Sequence, residues 1–412
     1  MRRVLTITTL ALVTSGCIHA QATPAADAYL QRAERLLRST PLIDGHNDLP
    51  WAIRESKTAP KDVEAYDLRT TTPGHTDLAR LMSGMLGGQF WSVYIPGDTS
   101  IARQGYAKVQ LEQIDIARRV FAKYPERFEP VTTAAGFRTA FAAGKIGSAM
   151  GMEGGHAIEN SLGALRAFYD LGARYMTLTH NQTLDWADAA AGPARHGGLT
   201  PFGKEVVREM NRLGMLVDLS HTSPAVMSNA LDITEAPVIY SHSNARALAD
   251  HVRNVPDSIL ARLPRNGGVV MVTFVPGFIS QELIDWNRVP AAQRPTNRTA
   301  PRATLSQVAD HIDHIRKVAG VDHVGIGGDF DGIEDVILGL EDVSTYPQLF
   351  AELMRRGWSD ADLRKLAGEN VLRAFTEAER VSARLRASRA PSTRTIEQLD
   401  GPMRNTTNPQ QD

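Results

Sequence analysis

The sequence predicts an α/β protein built as a closed (β/α)8 TIM barrel. Two observations carry this. Eight short apolar runs alternate with helical patterns along most of the 412 residues, and alternation repeated this often favours a parallel sheet. Six of those eight runs end in His, Asp or Glu, and C-terminal strand ends are where such barrels carry their chemistry. The pattern alone also accommodates an open doubly wound sheet. No Gly-x-Gly-x-x-Gly follows a strand, which argues against a dinucleotide fold.

The chain opens with a segment that stands apart from the barrel. Met1-Arg2-Arg3 is a basic n-region, and Val4 to Val13 is an apolar core too short to span a bilayer. Residues 1–22 therefore read as a secretory signal. Ala20-Gln21-Ala22 offers an ordinary cleavage site. Thr14-Ser15-Gly16-Cys17 offers a lipobox instead, with Thr14 a poor match where Leu is usual; it would place a lipid anchor on Cys17. The expectation is an exported protein, periplasmic or held at the membrane as a lipoprotein.

The barrel domain is expected over 23–386. Ala25 to Ser39 reads as an amphipathic helix, with Leu30, Leu36 and Leu37 set among Arg and Glu. The eight candidate strands lie around Leu42–His46, Phe90–Ile95, Ser148–Glu153, Tyr175–His180, Leu216–His221, Val238–His242, Val269–Phe274 and Val324–Asp329. Helical patterns fall between them at Gln110–Lys123, Leu162–Leu171, Gly203–Leu213, Pro224–Leu231 and Leu305–Val318. Pro290 to Arg302, rich in Pro, Arg, Thr and Asn, reads as a surface excursion. Ala387 to Asp412 is polar and Pro-bearing, a tail expected to lie loosely on the barrel or to be partly disordered.

Composition narrows the function. With 42% hydrophobic and 22% charged residues the chain is ordinary globular protein. Its formal net charge of −1 leaves no basic surplus for nucleic acid or an anionic membrane. No stretch after the signal is long enough for a transmembrane helix. Cys17 is the single cysteine, so the mature body has no disulfide and no thiolate ligand. Any metal site must use His, Asp and Glu.

Those residues recur at the strand ends. His46 and Asp48, two apart, would share one face of a strand. Glu153 ends the third run, His180 the fourth, His221 the fifth, His242 the sixth and Asp329 the eighth. Singly, each is explained as a loop hydrogen-bonding or turn residue. Together they converge on one metal site. Three His and two carboxylates exceed what one open tetrahedral zinc needs. They suit two metals about 3.5–4 Å apart that share a carboxylate and a water. Glu153, central in the strand order, is the best bridge.

The motifs DGHNDLPW (44–51), GMEGGHAI (151–158), YMTLTHN (175–181), SHS (241–243), RNVPD (253–257), GGDFDG (327–332) and GLEDVSTYP (339–347) resemble the membrane dipeptidase (renal dipeptidase) family of zinc peptidases, as a bacterial exported member. The resemblance runs from about Leu42 to about Leu399. It implies a (β/α)8 barrel of the metal-dependent hydrolase type with two zinc ions per subunit, hydrolysing dipeptides by a metal-bridging hydroxide. It implies that His46 and Asp48 ligate one zinc, His221 and His242 the other, and that Glu153 bridges. It implies substrate-binding roles for His180 and Arg253 and an acidic active-site role for Asp329. His180 would stabilise the oxyanion, Arg253 would hold the free carboxylate, and Asp329 would carry the proton. Tolerance of a C-terminal D-residue is expected. The family's animal-type cysteines and hydrophobic GPI signal are absent here. A homodimer is the default expectation.

Other polar residues get structural readings. Asp44 and His156 read as supporting residues, His311 and His314 as solvated on a polar helix, and Asp331 as a turn residue. His75, His196, His251 and His323 show no partner pattern. Two alternatives remain in view. One is another barrel hydrolase, such as an N-acyl-D-amino-acid deacylase; many relatives of that kind open with His-x-His and bridge with a modified Lys, unlike His46-Asn47-Asp48 and Glu153. The other is a noncatalytic barrel, which would be expected to have lost a ligand.

Overall fold

In the computed structural model, which describes residues 27–402, nine parallel strands form one sheet. They are β1 (Leu42–Asn47), β2 (Leu86–Ser92), β3 (Phe128–Pro130), β4 (Ile146–Met152), β5 (Ala173–Thr177), β6 (Leu216–Asp218), β7 (Ile239–Tyr240), β8 (Val269–Val272) and β9 (Val324–Ile326). Eight of them close into the expected barrel: the order runs from β2 through β1 and β9 down to β4, and β4 pairs back onto β2. The segment read above as a signal, with Cys17, lies outside the described residues. Among the described residues no helix is long and apolar enough to cross a membrane.

β3 was not legible. It pairs with Ile146–Ser148 of β4, while β5 takes Met150–Met152 further along. β2 occupies the other edge of β4, so β3 and β5 share one edge in succession. Three residues that include Glu129 and Pro130 give no strand pattern. β2 starts earlier than expected, at Leu86, and runs through Gly87 and Gly88. A Cβ at Gly87 would press on Pro41 and Phe141, and one at Gly88 on Phe137, so the glycines let the helix Ala134–Ala142 pack close.

Seven of the eight expected strands end before their predicted last residue. His180, His221, His242 and Asp329 all lie just past the last paired residue, where the backbone leaves the ladder to form the loops of the barrel mouth. These loops are anchored by the helices that follow. Pro201–Leu213 starts on the Thr200 cap with Pro201 in its first turn and stops at Gly214, φ 85°. Leu305–Ala319 opens with a Thr304/Gln307 capping box. The first helix, Ala28–Leu37, is capped by Asp27 and buries Ala33, Leu36 and Leu37.

Two apolar layers hold the barrel. Inside it, Ile43, Phe90, Ala149, Tyr175, Leu216, Ile239, Val269 and Met271 form a buried cluster, extended by Val371 and Phe375 of the helix Asn370–Ser388. Between strands and outer helices lies the larger core, including Trp91, Met176, Phe202, Tyr240 and Phe350. Pro290–Arg302 is exposed, as expected. The described part of the tail is more ordered than expected. The last barrel helix runs to Ser388, and Ile396–Asp400 forms a short capped helix with Ile396 buried. Asp400 accepts hydrogen bonds from Thr200 Oγ1 at 2.6 Å and Phe202 N at 3.0 Å, so the tail is fastened to the start of another helix.

Candidate active site

Glu153 is the hub of the barrel mouth. Its Oε2 lies 3.3 Å from His46 Nε2. Its Oε1 lies 3.0 Å from His221 Nε2, 3.4 Å from His242 Nε2 and 3.8 Å from His180 Nε2. Asp48 Oδ2 is 3.2 Å from His46 Nε2, and Asp329 Oδ1 is 3.9 Å from it. All seven strand-end residues named from the sequence are thus brought together, and Arg253 lines the same cavity.

Local chemistry aims each group inward. Asp48 stands at the N-cap of the helix Leu49–Arg54, a position where Asp normally bonds the first turn. Here its side chain makes no cap hydrogen bond, and the carboxylate is left for the site. The three ligand-type imidazoles are each held at Nδ1. His46 Nδ1 meets Tyr175 Oη at 2.8 Å, and that hydroxyl donates to Gly45 O. His221 Nδ1 meets Asn181 Oδ1 at 3.2 Å, and His242 Nδ1 meets Ser241 Oγ at 2.8 Å. In a neutral ring with its proton on Nδ1, Nε2 presents a lone pair to the centre.

Backbone strain accompanies these positions. His221 and Asp329 have φ of 68° and 67°, a region that costs a non-glycine residue about 1–2 kcal/mol. The surroundings lock both. The His221 carbonyl accepts from Ala190 N at 2.7 Å and Thr179 Oγ1 at 3.1 Å. Asp329 N donates to His46 O at 3.0 Å. Strain held this firmly clusters at functional sites.

The residues fit a divalent metal centre. His46 Nε2 and Asp48 Oδ1 are buried without a hydrogen-bond partner. His221 Nε2 and His242 Nε2 stand only 2.9 Å apart, an approach of two lone pairs that a shared cation would relieve. Three overlapping groups, His46/Glu153/His242, Glu153/His180/His221 and His46/Asp48/Asp329, each bring their donor atoms within 4.8 Å. Burial pushes His221 and His242 well below the usual imidazole range, with Arg253 adding to it, so both are neutral and able to ligate. Burial alone would raise Glu153, but the His46 charge and the adjoining His221 and His242 rings hold it well below the usual range. Asp329 goes the other way: burial raises it well above that range, and Asp48 and Glu153 add to the rise while His46 opposes it.

The cavity over this centre holds about 720 Å³, the size of a small-ligand site. One wall is aromatic, with Trp51 edge-on to Tyr94 at 5.0 Å and Tyr94 against His180 at 4.8 Å. The lining also carries Arg253, 3% exposed. Its Nε and Nη1 have no partner, and burial lowers it to about 10. Phe278 lies beneath its guanidinium at 5.4 Å, and His251 stacks on Phe278.

The supporting residues were partly misread. His311 is buried, not solvated: it accepts from Ala245 N at 3.1 Å and its Nε2 lies 3.1 Å from Ile279 O. His314 pairs with Asp257 at 2.8 Å. Asp331 does sit in a turn, but its carboxylate is buried and accepts from His75 N at 2.6 Å. Asp44 supports the site as expected, accepting from His46 N, Gly328 N and Tyr346 Oη. His156 also packs as expected, against Ile95 O at 3.0 Å. Tyr175, Asn181 and Ser241, which orient the imidazoles, were missed. Asp218 was missed too, although a charged residue inside the apolar run Val217-Asp218-Leu219 is a readable signal.

Comparison with known proteins places the fold and the family. The structure resembles that of the probable dipeptidase PvdM from Pseudomonas aeruginosa, 26% identical, with a TM-score of 0.74 over 86% of this chain and 99% of that one. It also resembles a metallo peptidase from Rhodobacter sphaeroides liganded with a phosphinate mimic of the dipeptide L-Ala-D-Ala, 27% identical, TM-score 0.70, covering 82% and 99%. A third likeness is to the dipeptidase AC, a metallo peptidase of family M19, 28% identical, TM-score 0.71, covering 82% and 98%. The family model for membrane dipeptidase, peptidase family M19, matches residues 30–389. By that match over most of its length, the chain belongs to the membrane dipeptidase family.

Proposed function

We propose that this protein is a binuclear zinc dipeptidase that cleaves free dipeptides, including those ending in a D-residue. The observation that carries the reading is the division of Glu153: one carboxylate oxygen faces His46, the other faces His221 and His242. His46 with Asp48 would hold one zinc and His221 with His242 the second, with Glu153 shared. An all-His/carboxylate donor set suits zinc. Bound zinc would supply the Lewis acidity that turns water into a hydroxide nucleophile near neutral pH and polarises the peptide carbonyl.

The protein's own groups do the rest. Arg253 binds the free carboxylate of the dipeptide with the N–H groups it leaves unpaired. His180, on the cavity wall beside Glu153, stabilises negative charge that develops on the carbonyl oxygen. Asp329, whose Oδ1 lies 3.9 Å from His46 Nε2 at the same centre, takes the proton from the attacking water and gives it to the leaving amine. The likeness to a metallo peptidase liganded with an L-Ala-D-Ala mimic supports a D-residue at the second position.

The test is amine release from L-Ala-D-Ala and from its N-acetyl form, before and after chelation and zinc add-back. Zinc-dependent cleavage of the free dipeptide is expected, and Glu153→Ala should lose bound metal and turnover together. Cleavage of the acetylated substrate alone would replace this reading with a deacylase. A Glu153→Ala protein that kept two zinc ions and full turnover would remove the shared-carboxylate assignment.

A further inference from the structure

We infer that Asp218 is a positioning residue for the metal centre, acting through Ser241 to set the tautomer of His242. The inference rests on the metal site proposed above and adds residues that touch neither substrate nor metal. Asp218 ends β6 and is fully buried. Its Oδ1 accepts from Ser220 N at 3.0 Å and Ser241 N at 2.9 Å. Its Oδ2 meets Ser241 Oγ at 2.5 Å. The same Oγ lies 2.8 Å from His242 Nδ1.

Donor and acceptor roles then follow in order. A carboxylate only accepts, so Ser241 spends its single proton on Asp218. Ser241 Oγ must accept from the ring, so His242 carries its proton on Nδ1. Its Nε2 is left as a lone pair, 3.4 Å from Glu153 Oε1. The reverse tautomer would aim an N–H at His221 Nε2, 2.9 Å away, and could not ligate. Outer partners of this kind fix ring orientation and raise ligand basicity.

Asp218→Asn separates this role from bulk. The amide oxygen stays with the two backbone N–H donors, because the amide nitrogen would clash with them. The NH2 group then faces Ser241 Oγ and donates to it. Ser241 turns its proton toward His242 Nδ1, and the ring is driven to the wrong tautomer.

The experiment is a double-mutant cycle with zinc affinity as readout, measured by competition with a chromophoric chelator on Asp218→Asn, Ser241→Ala and the double variant. Thermal unfolding of the metal-stripped proteins is followed in parallel. Asp218→Asn and Ser241→Ala should each weaken the binding of one of the two zinc ions by roughly 10–100-fold. In the Ser241→Ala background, Asp218→Asn should add little, because the link is already cut. An equal loss from Asp218→Asn in both backgrounds would overturn the relay, and so would an unchanged affinity. Ser241→Ala keeps both backbone hydrogen bonds of Asp218 and decides the matter alone if Asp218→Asn does not fold. A parent protein that binds no zinc overturns the metal site and the relay together; a parent that binds two beside an unaffected Asp218→Asn overturns the relay only.

Discussion

Arg253 shows how much one side chain can say. A guanidinium buried with two nitrogen groups unpaired is costly until an anion reaches it. Hydrogen bonds to charged groups contribute about 1.5–3 kcal/mol each. Arg253→Ala should therefore raise KM for L-Ala-D-Ala roughly 100-fold, from about 2.7 kcal/mol lost, and lower kcat far less. Steady-state kinetics checks this, and an unchanged KM would remove the clamp. The same residues mark the limit of reading a sequence. His46, Asp48, Glu153, His221 and His242 announced themselves because each follows an apolar run. The partners of His46 and His221 did not, since Tyr175 serves His46 from β5 and Asn181 serves His221 from the loop after β5, and nothing local encodes such pairs.

At the level of elements, His311 fastens two pieces of the barrel mouth. From the helix Leu305–Ala319 it reaches Ala245, on the loop that carries Arg253, and Ile279, next to Phe278. The sequence did hold a signal here. Val308, His311, Ile312 and Ile315 fall at helical spacing on one buried face, while Asp310 and Asp313 beside them made the segment look polar. Burial pushes His311 down to about 4, against about 6.5 in an unfolded chain. Above pH 6.5 it is neutral in both states. As pH falls from about 6.5 to about 4 only the unfolded state takes the proton, so stability falls across that window, by up to about 3 kcal/mol. His311→Gln removes this contribution. The parent should be more stable at pH 7, and its advantage should shrink steadily toward pH 4.5 in urea titrations. A constant gap would show that His311 does not titrate as described.

For the whole molecule, strand–helix alternation gave a parallel sheet, barrel or open, and the motif resemblance together with the ionisable strand ends carried the closed barrel. The two features that neither gave are additions that touch the barrel from outside: β3, which borrows an edge of β4, and the tail helix Ile396–Asp400. Both are too short to carry a period, and the tail is polar because it binds through Asp400 rather than through an apolar stripe. Asp400 satisfies the backbone N–H of Phe202 at the start of Pro201–Leu213 and braces the Thr200 cap. Asp400→Ala should cost about 1 kcal/mol, seen as a lower urea midpoint with an unchanged slope. A midpoint equal to that of the parent would mean the tail is held by Ile396 alone.

The left-handed backbone at His221 and Asp329 sets selection for persistence against selection for turnover. Glycine would sit at either position without strain. A population of variants screened only for surviving heat or protease should therefore drift toward glycine at both sites. One screened for peptide cleavage should hold His and Asp. Deep sequencing of the two pools would read the difference directly, and equal glycine frequencies would mean the strain at these positions carries no fitness cost.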